Sequence, residues 1–121
     1  KKKNFFFPSI INKIIKFKKK ILKFENLNHY RDFISTEDIC FAINTLWKIR
    51  AKGTYNIGSG KGIFLEDLVA RICQKLKVKF FIKKNYKSCT YLIANIKKIK
   101  KINWKPKKNI NGIIDDYFFH L

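Results

Sequence analysis

The sequence predicts a single α/β unit, and three observations predict it. Four stretches repeat their apolar residues every three or four positions, as helices do, while the apolar runs between them are too brief for helices. Those runs are bounded by turns rich in asparagine and glycine. The 121 residues, 46% of them hydrophobic, suffice for one modest core, and neither an internal repeat nor a Pro/Gly/Ser-rich linker divides them.

Ser9 to Lys20 is predicted as an amphipathic helix following Pro8, with Ile10, Ile11, Ile14, Ile15 and Phe17 toward a core and lysines outward. Ile21 to Phe24 reads as a strand, and Glu25-Asn26-Leu27-Asn28-His29 as a turn, since asparagine tolerates left-handed backbone. Arg31 to Ser35 is a second short strand. Thr36 caps the next helix, whose first turn carries Glu37 and Asp38, favourable against its dipole. Its stripe is Ile39, Ala42, Ile43, Leu46 and Trp47, and Gly53 lies past its end.

Thr54 to Ile57 is predicted as a strand and Gly58 to Gly62 as a turn. A helix over Phe64 to Lys77 places Leu65, Leu68, Val69, Ile72 and Leu76 on one face. Val78 to Ile82 is a strand, Lys83 to Thr90 a basic loop, Tyr91 to Ile93 a strand and Asn95 to Lys101 a short helix. Asn109 caps a last helix with Ile110, Ile113, Ile114, Tyr117, Phe118 and Leu121 aligned.

The formal charge of +20 ordinarily points to nucleic acid or an anionic surface. Its make-up weakens that inference. The basic residues are 25 lysines and only three arginines, and lysine, isoleucine, phenylalanine and asparagine together supply 68 of the 121 positions. All four have A/T-rich codons, so a skewed genome accounts for the lysines without an anionic partner. Arginine, the better bidentate reader of phosphate and guanine, is scarce. A basic nucleic-acid-binding module, with lysine and phenylalanine interleaved over Phe17 to Phe24 and Lys77 to Lys87, is the alternative reading. A lysine-rich Ser9 to Phe24 surface docking on acidic lipid is a third.

No apolar run reaches the roughly 20 residues of a membrane span, and the N-terminal Lys1 to Pro8 lacks the features of a signal peptide. The sequence contains no methionine, so the expectation is a fragment or a processed chain. Cys40, Cys73 and Cys89 are odd in number and never spaced C-x-x-C, which suits a reducing cytoplasm. Two histidines and no cysteine cluster leave no metal site to assign.

The turn Gly58-Ser59-Gly60-Lys61-Gly62 invites a phosphate-loop reading and fails it. A Walker loop needs four residues between its first glycine and Gly-Lys, then Ser or Thr; here only Ser59 separates Gly58 from Gly60-Lys61, and neither Gly62 nor Ile63 after the lysine is Ser or Thr. A dinucleotide fingerprint needs glycine where Ile63 stands.

Arg31-Asp32-Phe33-Ile34 with the acidic helix start Glu37-Asp38 is followed about 20 residues later by Tyr55-Asn56-Ile57-Gly58. Ala94-Asn95, a lysine-rich helix, Asn103-Trp104-Lys105-Pro106 and the helix opened by Asn109 to Gly112 complete the series. Together these resemble the C-terminal half of an extended short-chain dehydrogenase/reductase, of the NAD-dependent nucleotide-sugar epimerase and dehydratase family. The resemblance implies an α/β substrate-binding lobe of helices and short strands over residues 9–121. Residues 1–8 would be a remnant of an absent N-terminal Rossmann domain. It implies that Arg31 contacts the diphosphate of a nucleotide-sugar, a role a planar guanidinium can fill bidentately, against the alternative of a surface salt bridge to Asp32 or Asp38. Asn56 inherits a contact to phosphate or ribose, or else satisfies local backbone as a turn residue. Asp32 and Asp38 are expected to orient loops and cap the helix rather than act as acid or base. Lys84 and Lys87 lie where relatives place a second basic residue, without a motif match that assigns either.

Two departures are informative. The turn before Arg31 usually contains glycine in this family and here is Glu25-Asn26-Leu27-Asn28, and the family's Leu-Gly-Trp is here Ile102-Asn103-Trp104; asparagine is the next-best residue for positive φ, while Leu27 is expected to alter the geometry of the substrate loop. The family's Tyr-x-x-x-Lys pair is absent: four places after the five tyrosines stand Ile34, Ser59, Thr90, Asn95 and Leu121. No catalytic or cofactor-binding residue is therefore assigned to this chain. NAD or NADP would serve the complete enzyme, whose partners would be a nucleotide-sugar, the Rossmann half and, as a homodimer, a second copy. The expected location is the cytoplasm, and the expected process carbohydrate biosynthesis. Alone, the chain should expose apolar surface meant for the Rossmann half, and be marginally stable.

Overall fold

The computed structural model describes residues 5–17, 20–84 and 88–119. Its elements are α1 (Phe6–Phe17), β1 (Leu22–Phe24), β2 (His29–Arg31), α2 (Thr36–Lys48), β3 (Ile63–Phe64), α3 (Leu65–Lys75), β4 (Phe80–Ile82), β5 (Thr90–Leu92), α4 (Lys97–Lys100) and α5 (Ile110–Phe119). They group into two compact units, Lys1–His29 with Phe64–Thr90, and Tyr30–Ile63 with Tyr91–Leu121. No linker is visible in the sequence because neither unit is one continuous piece of chain.

In the first unit β1 and β4 pair in parallel, Leu22 opposite Phe80 and Phe24 opposite Ile82. Helix α1 starts at Phe6, earlier than Ser9, and so draws Phe6 to Pro8 into the helix. Pro8 fits in the first turn because an N–H there has no intrahelical acceptor to lose. Ile10, Ile11 and Ile14 are buried as predicted, whereas Ile15 and Phe17 are exposed; Lys18 and Lys19, where the predicted helix continued, lie outside the described residues. Helix α3 buries Leu65, Leu68, Val69, Ile72 and Cys73. Burial pushes the Cys73 thiol up to about 11, because a thiolate is poorly solvated there.

Strands β2, β3 and β5 form a sheet in the order β3-β2-β5. The rings of Tyr30 and Tyr91 stack across it, 4.8 Å between centroids. The strand predicted from Arg31 to Ser35 instead ends at Arg31. From Asp32 onward the chain is committed to another partner, described below. Ser35, not Thr36, caps α2: its Oγ accepts from Asp38 N at 3.1 Å, and Thr36 is the first helical residue. The helix ends in a Schellman turn, with Arg50 N donating to Trp47 O and Ala51 N to Leu46 O. Arg50 takes the left-handed conformation there (φ 49°), and Gly53 (φ 87°) follows in the loop.

The second unit's core is Ala42, Ile96, Ile99 and Trp104, with Ile34, Leu46, Tyr55, Ile57, Ala94 and Ile102 packed around it. Thr54 to Ile57 forms no strand among the described residues. It keeps the alternation of one: Tyr55 and Ile57 turn toward the core while Thr54 and Asn56 are exposed. Helix α4 is one turn, shorter than the predicted Asn95 to Lys101, because Asn95 Oδ1 accepts from Lys97 N and so stands outside it. Asn109 caps α5 as predicted, accepting from Gly112 N at 3.0 Å. Of that helix's stripe Ile114 is buried, and Leu121, like His120, lies outside the described residues. Asn26 and Asn103 both sit at φ 59°, so each asparagine preserves the backbone its position demands.

Candidate functional site

Asp32 organises the region around Arg31. One carboxylate oxygen accepts from the backbone N–H and hydroxyl of Ser59, at 2.8 and 2.5 Å, and the other from Gly60 N and Ala94 N at 2.9 and 3.1 Å. Four donors fill the four lone-pair sites of a carboxylate. A Cβ at Gly58 would fall 2.4 Å from Ala94 Cβ and 2.8 Å from Asp32 Oδ2, so glycine is required for this approach. The amides of Ser59 and Gly60, which a phosphate loop would offer to an anion, are thus taken by the protein's own carboxylate.

Asp38, only 3% exposed, plays the matching part at α2. It accepts from Lys107 N at 2.9 Å, Lys108 N at 3.0 Å and the Ser35 hydroxyl at 2.9 Å. Burial raises its pKa, but the two backbone N–H groups, the Ser35 hydroxyl and the Lys108 charge outweigh it and hold the carboxyl below its ordinary value. Both aspartates therefore orient loops, as their sequence context implied.

Arg31 closes β2, half-buried, with Nη1 donating to the carbonyl of Tyr30 at 2.7 Å. Asn56 is exposed, and its Nδ2 donates to Asn95 O at 3.3 Å. The two predicted site residues thus lie on different segments, Arg31 at the end of β2 and Asn56 in a loop, with different backbone partners. Beside the Gly58 turn is a cavity of about 320 Å³ lined by Phe33, Ser59, Lys61, Ile63 and residues 106–111. Lys84 is exposed and Lys87 lies outside the described residues. His29 is engaged with Thr90, whose backbone N–H donates to Nδ1 at 3.2 Å. The three cysteines are free, and no group of three His, Cys, Asp or Glu side chains among the described residues could hold a metal ion. No helix among them is long and apolar enough to cross a membrane.

Sequence reading missed Lys108. Its Nζ bridges Glu37, 2.6 Å away, and Asp116, so hydrogen bonds and charge from both carboxylates raise its pKa. Nothing local could have announced this, because Glu37 is 71 positions away in the chain.

No family model matches the chain. Over 117 residues it is 30% identical to GDP-6-deoxy-D-talose 4-dehydrogenase of Aggregatibacter actinomycetemcomitans, a match covering 96% of this chain and 38% of that protein. RMD from Pseudomonas aeruginosa, solved with NADPH, superposes with a TM-score of 0.74 at 20% identity, over 97% of this chain and 43% of its own. UDP-N-acetylglucosamine 4-epimerase from Methanobrevibacter ruminantium M1, in complex with UDP-N-acetylmuramic acid, superposes at 0.71 with 18% identity, over 100% of this chain and 41% of its own. The chain thus spans about two fifths of the length of the proteins it matches.

Proposed function

We propose, for a chain that is a C-terminal part of an extended short-chain dehydrogenase/reductase of the nucleotide-sugar epimerase/dehydratase family, that it supplies the diphosphate-binding surface for a nucleotide-sugar. Chemistry on the sugar then requires an NAD(P)-binding Rossmann half, because this sequence carries neither a Gly-rich cofactor fingerprint nor a Tyr-x-x-x-Lys pair. Its one glycine-rich turn does not fit the dinucleotide, since Asp32 fills the Ser59 and Gly60 amides. The process would be cytoplasmic carbohydrate biosynthesis, and the residues given to the substrate are Arg31 and Asn56.

One observation carries this reading. Asp32 accepts from Ser59, Gly60 and Ala94 and so fixes the Gly58 turn against the end of β2, where the half-buried Arg31 stands. A planar guanidinium placed there has the bidentate geometry that a diphosphate needs.

The test is titration of the chain with GDP and with UDP, followed by NMR shifts or calorimetry. Arg31→Ala should weaken binding about tenfold, the scale of a charge-assisted hydrogen bond to phosphate, with Arg31→Lys in between and Asn56→Ala a few-fold weaker. Unchanged affinity in Arg31→Ala would defeat the assignment. Stronger binding to a duplex oligonucleotide, falling steeply with salt, would favour the basic-module alternative instead.

A further inference from the structure

We propose that the outer edge of β4 takes up an extended acidic peptide segment as a further strand of its sheet. The ladder between β1 and β4 fixes which backbone groups are already used. Leu22 N donates to Lys79 O at 3.0 Å and Lys83 N to Phe24 O at 2.8 Å, so Lys79, Phe81 and Lys83 turn their amides and carbonyls toward β1. Phe80 and Ile82 turn theirs the other way, and among the described residues no further strand lies on that side. The two edges of this sheet differ. On β1 the ammonium of Lys13 donates to Lys23 O, with its Nζ 4.6 Å from the centroid of the Phe24 ring, and so covers that carbonyl. On β4 no side chain among the described residues does the same for Phe80 or Ile82. An uncovered edge is a template on which an extended segment can add by main-chain hydrogen bonds.

The side chains select the occupant. Phe81 is 57% exposed, with exposed Lys79 and Lys83 before and after it on the same face of the strand, while Phe80 and Ile82 are half-buried on the other. A strand laid beside β4 thus meets three apolar residues bounded by a lysine at each end. Its complement has an acidic residue at each end of three apolar or β-branched ones. A second copy of β4 does not fit. Antiparallel pairing centred on Phe81 sets Lys79 opposite Lys83, parallel pairing in register sets each lysine opposite itself, and like charges directly opposite are destabilising. A polyanion without a peptide backbone meets the lysines and leaves the Phe80 and Ile82 amides unpaired. A skewed genome accounts for lysines, but not for an open edge between them. The inference goes beyond the diphosphate reading and does not depend on it.

The test uses the peptide acetyl-Ser-Glu-Val-Thr-Val-Glu-Ser-amide, whose palindromic order suits β4 in either direction. Added to the full chain and followed by NMR, it should slow hydrogen exchange of the Phe80 and Ile82 amides at least about tenfold once most of the chain is bound. Lys79→Glu and Lys83→Glu should each weaken binding about fivefold, the change expected when an opposite-charge cross-strand pair becomes a like-charge one. The double variant should prefer the peptide carrying lysine in place of both glutamates. Lys48→Glu, an exposed lysine of α2, should leave the affinity unchanged. Methylation of both valine nitrogens removes the peptide's donors to β4 and should abolish binding and protection. Absence of binding, equal binding of the methylated peptide, or unchanged affinity in both Lys79→Glu and Lys83→Glu would each overturn the proposal. So would protection of Phe80 and Ile82 that depends only on the chain's own concentration, which would make a second copy the occupant. None of these variants touches Arg31, so this edge can fail while the diphosphate reading stands, and the reverse.

Discussion

Helices α2 and α3 carry equally regular apolar stripes, and the fold treats them differently. In α3 the residues Leu65, Leu68, Val69, Ile72 and Cys73 are all buried. In α2 only Ala42 of the apolar stripe is buried, joined by the carboxylate of Asp38, while Ile43 and Trp47 face out. Periodicity reports that a face seeks an apolar neighbour. Whether the neighbour is supplied by the same chain is a separate matter, and the contrast between the helices separates the two.

The largest effect that could break this contrast is a core truncation. Ile72→Ala or Leu68→Ala should cost about 3 kcal/mol, the usual toll of a buried aliphatic deletion. Ile43→Ala should stay within about 0.5 kcal/mol in the isolated chain. Urea unfolding followed by circular dichroism reads both, and similar losses would mean that α2 is already covered.

A smaller effect, about 2 kcal/mol for an orphaned buried group, sits at the start of α2. Asp38 is held below its ordinary pKa, so its stabilisation is complete above the unfolded carboxylate value of about 4 and is lost as pH falls through the lower folded value. Unfolding midpoints across that acid range should drop in the native chain, and the component due to this carboxyl should vanish in Asp38→Asn. An unaltered acid profile in the variant would remove Asp38 from its anchoring role.

The smallest effect sharpens the comparison from the other side. Both helices end in the same Schellman turn, Arg50 at φ 49° in α2 and Lys77 at φ 53° in α3. Arg50→Gly and Lys77→Gly should each gain about 0.5–1 kcal/mol by removing a left-handed side chain. Equal gains in thermal or urea midpoints would show that the helices differ in packing and not in their ends; a gain at only one would show the opposite.

Much of the fold was legible because its signals are local. Asn109 as a cap, Asn103 as a left-handed residue, the turn holding Asn26, and the stripe of α3 all depend on residues within a turn of one another. Pro8 misled about the start of α1 because a proline marks the first turn without saying which of its positions it fills. Ser35 and Thr36 are both good caps, and one-residue choices between them rest on backbone geometry. The Arg31 strand was overextended because alternation alone could not reveal that Asp32 belongs to the Gly58 turn.

The chain's own pattern determined its α/β class, the order of its helices and the asparagine that caps the last of them. Those depend on intrinsic conformational preference and on spacing along the chain. Only the tertiary structure decided which donors Asp32 and Asp38 accept, that Lys108 bridges Glu37 and Asp116, and that one edge of α2 is left open. Those are contacts between residues distant in sequence, and hydrogen bonding and burial act on distance in space, which no periodicity encodes.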